Sequence, residues 1–241
     1  MDSTLYELFY ALEDTHWWFQ GRKELVLDLL HRYLPCNNPK ILDVGCGTGG
    51  MLAGYEQYGT VLGIDTAPEA AHFCQLRGLR MVVGSGTELP FADETMDVVS
   101  ALDVIEHVDN DQGMLAEMRR VCRRDGVLLL TVPAFQFLWS SHDVLNHHKR
   151  RYIRRGIEDL LVRTGFEPLK LSYYNSFLLP AAVLRKYVLR VRNHGTESHL
   201  ERVPGPMNAL FRRILSLEGP ILARGDFPIG ASIICAARRL A

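Results

Sequence analysis

Residues 41–50 read ILDVGCGTGG. An apolar run ending on Asp43 and Val44 gives way at once to Gly45, Gly47, Gly49 and Gly50, and a helical pattern begins near Met51. Glycines permit positive φ and let the backbone approach a ligand, and the first turn of a helix offers unpaired N–H groups to negative charge. A strand, a glycine turn and a helix in that order hold a nucleotide-like ligand. Two fingerprints fit the same letters. Gly45, Gly47 and Gly50 have the dinucleotide spacing, whereas Asp43, Gly45, Gly47 and Gly49 follow D-x-G-x-G-x-G, and the loop by itself leaves both open.

Outward from that stretch, short apolar runs alternate with helical patterns: KILDVG, a helix near Met51 to Tyr58, TVLGID, a helix near Pro68 to Arg77, LRMVVG, MDVVSAL, a helix over Gly113 to Cys122, then GVLLLTV. Alternation of this kind predicts βαβ units and a parallel sheet, and the unbroken apolar runs suit strands covered on both faces. Before the first strand, Leu25, Val26, Leu29, Leu30 and Tyr33 recur on one helix face, so the segment to about Leu34 reads as helical until Pro35 and the Asn37-Asn38-Pro39 cluster end it. After Pro133 comes a polar stretch rich in His and Arg, a short helix from Ile157 to Thr164 closed by Gly165, and FEPLKLSYY as a further strand. Between Asn175 and Phe227 lies an insertion: an apolar segment, the polar loop NHGTESHLERVPGP, and a helix with Met207, Leu210, Phe211, Ile214 and Leu215 on one face. IGASIICAARR then returns to the sheet, so the expected organisation is one domain over 1–241. Its parts are an N-terminal helical lid (1–36), a Rossmann-like core (37–174), a helical cap (175–227) and a final strand (228–241).

The bulk composition fits a globular enzyme, with 47% hydrophobic and 23% charged residues among 241. A net charge of −1 supplies no overall attraction to nucleic acid or acidic lipid. Five scattered cysteines match neither a disulfide framework nor a zinc pattern, and the acidic start MDSTLYELFYALED is unlike an export signal, so a reducing cytoplasm is expected. The longest apolar stretch, Phe177 to Leu184, contains Pro180 and is too short to span a bilayer. Peripheral contact with a membrane stays open.

Asp65 ends the second strand, twenty residues after Gly45, where a carboxylate can accept hydrogen bonds from both ribose hydroxyls. The competing reading is an acid at a helix N-terminus before Pro68. With Asp65 in place, ILDVGCGTGG, VLGID, GTELPFADETMDVVSALDVIEHV and GVLLLTVP resemble, in order over roughly residues 40 to 135, the successive motifs of the class I S-adenosylmethionine (SAM)-dependent methyltransferases, particularly the small-molecule branch. The resemblance implies a Rossmann-like, doubly wound α/β fold with a mostly parallel seven-stranded sheet, and SAM as cofactor with S-adenosylhomocysteine as product. It places Asp43 and the backbone around Gly45, Cys46, Gly47 and Gly49 at the methionine end of SAM, and Asp65 with Thr66 at the ribose. The family's usual adenine-binding acid is replaced by Ser85, with Gly86 and Thr87 beside it. Asp103, Val104 and His107 are expected to border the cofactor, and Trp18 and Arg22 to close over it, with Arg22 facing the SAM carboxylate.

Methyl transfer asks mainly for alignment, and a general base where the acceptor is a hydroxyl or acidic carbon. WSSHDVLNHHKRRY follows the strand ending at Val132 and holds His142, Asp143, His147 and His148 close together, any of which could be that base, with His142, Asp143 and His147 as the named candidates. Their spacing matches no standard ligand pattern, and no metal is expected. Lys149, Arg150, Arg151, Arg154 and Arg155 form one basic cluster that could meet a phosphate, a carboxylate or anionic lipid, or only solvent. The leading expectation is transfer of a methyl group to a small-molecule acceptor, hydrophobic or lipid-like. The alternatives are a SAM-binding enzyme of another reaction type, such as cyclisation, and an NAD-dependent oxidoreductase, for which no Tyr-x-x-x-Lys pair follows the fourth strand. DNA is not expected as a partner, because the Asn- or Asp-Pro-Pro-aromatic motif of DNA amino-methyltransferases is replaced here by Asp103-Val104-Ile105-Glu106.

Overall fold

The computed structural model describes residues 3–189 and 203–240. Most of the expected polar loop NHGTESHLERVPGP, residues 193–202, lies outside them.

Among the described residues seven strands form one sheet: β1 Lys40–Val44, β2 Thr60–Asp65, β3 Met81–Val83, β4 Met96–Leu102, β5 Cys122–Pro133, β6 Phe166–Tyr174 and β7 Ser232–Arg239, ordered β3-β2-β1-β4-β5-β7-β6. The first five strands pair in parallel, and β7 runs antiparallel between β5 and β6. The order reverses at β1, so the carboxyl ends of β1 and β4 flank the switch point at which open α/β sheets bind ligands.

Side chains alternate between the two faces, which is why both need apolar residues. On one face Leu42, Val44, Val99, Leu128, Leu130 and Val132 pack with α5 (Asp111–Val121) and α7 (Arg154–Arg163) through Met114, Leu115, Met118, Ile157 and Leu161. On the other, Ile41, Val98, Val127, Leu129 and Ile234 meet Leu25, Val26, Leu29 and Leu30 of α2 (Trp17–Arg32), along with Leu215 and Leu222. The expected N-terminal helix is two helices, since α1 (Ser3–Leu12) precedes α2 across a turn at Glu13–His16. His16 starts the second by accepting the Trp18 N–H at 3.3 Å.

The insertion supplies α8 (Leu179–Leu189), α9 (Gly205–Ser216) and α10 (Glu218–Leu222). α9 lies along α2 so closely that a Cβ on Gly21 would stand 2.5 Å from Leu215 Cδ2. Of the face predicted for α9, Leu215 is buried and Phe211 and Ile214 are partly covered, whereas Met207 and Leu210 remain exposed. Among the described residues no helix is long and apolar enough to cross a membrane.

Candidate active site

The glycine loop leaves β1 and enters α3 (Gly50–Tyr55). Gly45, Gly47 and Gly49 have φ of 72°, 55° and 85°, a region closed to most side chains. Gly45 also faces Val104 at the end of β4, where a Cβ would come within 2.5 Å of its methyl group. At Gly47 a Cβ would meet nothing within 4 Å, so its bare backbone borders open space that a ligand can use.

Asp65 closes the loop from the neighbouring strand. Its Oδ2 accepts the Gly47 N–H at 3.0 Å, and its Oδ1 accepts the Ala67 N–H at 3.0 Å and the Tyr6 hydroxyl at 3.1 Å. Tyr6 comes from α1 and is buried against this site, a contact that no periodicity in the sequence announces. Burial, reinforced by the Asp65 carboxylate, keeps the Tyr6 phenol protonated far above neutrality. Thr66 follows Asp65 at the strand end.

Asp43 lies beneath the loop, with the Ser100 hydroxyl donating to it at 2.5 Å. Burial pushes its carboxyl up to about 7, although Ser100 and the Arg22 guanidinium both favour the charged form. Arg22 forms an ion pair with Asp103 and lies 4.4 Å above the centre of the Trp18 ring. Asp103 holds a φ of 57°, strained for a residue with a side chain, at the carboxyl end of β4. Trp18, Arg22 and Asp103 therefore come together, and the Arg22 charge expected at the SAM carboxylate is paired with Asp103. Trp17 instead faces the insertion, edge-on to Phe211 at 5.5 Å. Further acids border the loop from the N-terminal turn: Glu13 and Asp14 pair with Arg77 at 3.3 and 2.9 Å, and Arg77 Nε donates to the Thr48 carbonyl at 2.9 Å.

Ser85 and Thr87 are exposed or nearly so, with hydroxyls 2.7 Å apart. Gly86 serves packing, since a Cβ there would lie 2.4 Å from the Met114 methyl. Cys46 is buried beside Cys74.

The polar segment after β5 is more ordered than its sequence suggests. Asp143, in the short helix α6 (Ser141–Leu145), is fully buried and accepts from the Ser140 N–H at 2.7 Å, Arg151 Nε at 2.7 Å and Arg151 Nη2 at 2.9 Å. His148 Nδ1 lies 2.9 Å from the same carboxylate. Burial opposes its charge, but the bonds from His148 and Arg151 outweigh that and hold Asp143 well below the usual carboxylate range. Asp143 is thus a fixed anion and a poor proton acceptor. His142 lies against His148, their ring centres 6.0 Å apart, and His147 is exposed with a φ of 55°. His107 faces His148 at 4.7 Å, and burial together with that neighbour pushes its pKa down to about 4. The basic cluster is largely neutralised within the chain, because Lys149 pairs with Asp109, Arg150 with Asp111, Arg151 with Asp143 and Arg154 with Asp226.

The family described as "Methyltransferase domain" matches residues 42–130, which span β1, the glycine loop, Asp65 and β4 into β5. A protein of Mycolicibacterium smegmatis named a probable S-adenosylmethionine-dependent methyltransferase is 29% identical over 164 residues, 65% of this chain and 62% of that one. Residues 42–130 match the methyltransferase family, and over this region the chain resembles the class I SAM-dependent methyltransferases. The norajmaline N-methyltransferase of Rauvolfia serpentina is 30% identical over 137 residues, 52% of this chain and 47% of its own length. The matched regions thus span less than two thirds of both relatives. A geranyl diphosphate methyltransferase solved with SAM shares the fold at a TM-score of 0.61 and 18% identity, covering 91% of this chain and 85% of that one. The match over residues 42–130 favours the D-x-G-x-G-x-G reading of the loop, and SAM is the cofactor that this family implies.

Proposed function

We propose that this methyltransferase holds SAM across the glycine loop and directs its methyl group, by in-line displacement, to a small-molecule acceptor with an apolar body. The observation that carries the reading is the convergence of the open backbone at Gly47, the Asp65 carboxylate and the buried Asp43 at the sheet's switch point. When bound, SAM supplies an electrophilic methyl on a cationic sulfonium, so the chain's own work is alignment. Asp65 accepts from the ribose hydroxyls once Tyr6 releases it. Asp43 and the loop from Gly45 to Gly49 receive the methionine end, and Ser85, Gly86 and Thr87 the adenine. Asp103, Val104 and His107 line the side facing the acceptor, with Trp18 and Arg22 closing above. An apolar acceptor is supported by the exposed Phe177, Leu184, Met207 and Leu210 of the insertion, and a small one by the alkaloid-methylating relative.

We read residues 1–241 as one domain, because α9 and α10 of the insertion pack back onto α2. A cytoplasmic setting suits five unpaired cysteines. The neutralised basic cluster supports neither nucleic acid nor a membrane as partner.

The test is calorimetric titration with SAM and S-adenosylhomocysteine, followed by transfer of labelled methyl to a panel of apolar amines, phenols and acids. Both ligands should bind, Asp65→Ala should weaken each at least tenfold, and label should reach one acceptor class. Absence of binding overturns the reading. Tight binding with no transfer to any acceptor would favour another reaction, such as cyclisation, in the same cleft.

A further inference from the structure

Glu106 is the anomaly of the molecule. It lies in the 3-10 turn Ile105–His107 that follows β4, is 0% exposed, and neither carboxylate oxygen has a hydrogen-bond partner among the described residues. An unsatisfied carboxyl at this depth costs several kcal/mol unless a proton or a cation is supplied. Two imidazoles approach it. His148 Nε2 is 3.9 Å from Glu106 Oε1, and one nitrogen of His107, one of His148 and one Glu106 oxygen all lie within 4.8 Å of one another.

The orientation of His148 is imposed from behind. Its Nδ1, 2.9 Å from Asp143 Oδ1, must donate to that carboxylate, which Arg151 holds in place. In the neutral ring the Nε2 lone pair is then left pointing toward Glu106. Two acceptors facing each other call for something positive between them, and a carboxylate bonded to the far nitrogen of an imidazole is the usual support of a metal-ligating histidine.

We propose that Glu106, His107 and His148 bind a divalent metal ion. Two imidazoles and one carboxylate suit the borderline cations zinc, cobalt, nickel and iron(II) rather than magnesium or calcium. Ligand atoms around such an ion stand roughly 3–3.5 Å apart, so the widest pair closes by up to about 1.5 Å, a distance within side-chain rotation. Three protein ligands leave coordination positions open, and the turn that carries Glu106 and His107 starts three residues after Leu102, the last residue of β4. The ion is therefore a Lewis acid beside Asp103, at the sheet edge assigned above to the acceptor. The group differs from His142, Asp143 and His147, whose spacing argued against a metal in the sequence. Asp143 takes part from behind the ligands, as the anchor of His148.

The site stands apart from the SAM reading and is tested without it. The full chain, stripped with a chelator, is titrated with cobalt(II) while its visible d–d bands are followed, and zinc(II) is then added in competition. One equivalent should bind and be displaced by zinc. Glu106→Gln, isosteric with the protonated acid, and His148→Ala should each weaken binding at least tenfold, whereas His72→Ala, on the surface of α4 (Pro68–Leu76), should not. In the wild-type cobalt form, proton NMR should show paramagnetically shifted signals from two imidazole rings, a readout that needs no variant to fold. No saturable one-to-one spectrum, bands that survive both variants, or shifted signals from fewer than two rings would overturn the proposal. SAM affinity measured on the same stripped sample keeps a failure here distinct from a failure of the cofactor reading.

Discussion

Asp65 shows how one carboxylate can be claimed by two partners. In the structure it accepts the Tyr6 hydroxyl, and the proposed ribose contact needs the same oxygen. Tyr6→Phe removes the competitor while keeping the ring, so SAM affinity should rise about threefold to tenfold in calorimetry, the net worth of one ordinary hydrogen bond. A fall would place the hydroxyl in the bound complex instead. Asp43 carries a second expectation. Its folded pKa, about 7, lies above the unfolded value, so the folded state binds more protons between roughly pH 4 and 7. The stability it contributes is complete below pH 4 and disappears as pH rises through 7. Asp43→Asn should therefore flatten the pH dependence of the melting temperature over that window and leave the ligand-free protein more stable at pH 8, by on the order of 2 kcal/mol. Much of this site was legible: glycine spacing located the loop, and strand length located Asp65 and Asp103. Tyr6, Glu13 and the Asp143–His148–Arg151 cluster were not, because they meet the site through tertiary packing across large sequence separations. The acid of Asp143-Val144 looked like a proton acceptor in sequence, and only its three donors show it to be a fixed anion.

Elements were readable where hydrophobic period and punctuation agreed. FEPLKLSYY coincides with β6, and Pro68 opens α4 as expected. The N-terminal helix divided because a turn over Glu13, Asp14 and Thr15 follows Leu12 and His16 caps the second helix, a short break hidden inside continuous apolar periodicity. β5 begins four residues earlier than GVLLLTV suggests, since Cys122 pairs with Met96 across a register shift before the main ladder starts at Val127. The contact between α2 and α9 is the element-scale feature sequence could not show. Gly21 admits Leu215, and an alanine there would gain about 1 kcal/mol in helix propensity while overpacking by about 1–3 kcal/mol. Gly21→Ala should thus cost about 1 kcal/mol net in urea denaturation. Leu215→Ala made on that background should cost less than Leu215→Ala alone, since the clash is relieved.

For the whole molecule, one buried acid ties the insertion to the sheet. Glu218, at the start of α10, accepts the N–H groups of Asn175, Ser176 and Phe177 at 2.6, 2.6 and 2.9 Å, where the chain leaves β6 for the insertion. Glu218→Ala would strand three backbone donors and should destabilise the protein by about 3 kcal/mol, with Glu218→Gln milder, both read from denaturant midpoints. The return of the last strand to the sheet was visible in IGASIICAARR, but its antiparallel seat between β5 and β6 follows from pairing partners that no local pattern specifies. The contact of α1 with Asp65 has a further consequence, in time rather than in affinity. If SAM can take Asp65 only after Tyr6 lifts away, the association rate will stop growing with cofactor concentration and level off at the opening rate of α1. Product departure passes through the same step, so the turnover of this methyltransferase would be paced by an N-terminal helix that touches neither the methyl group nor its acceptor.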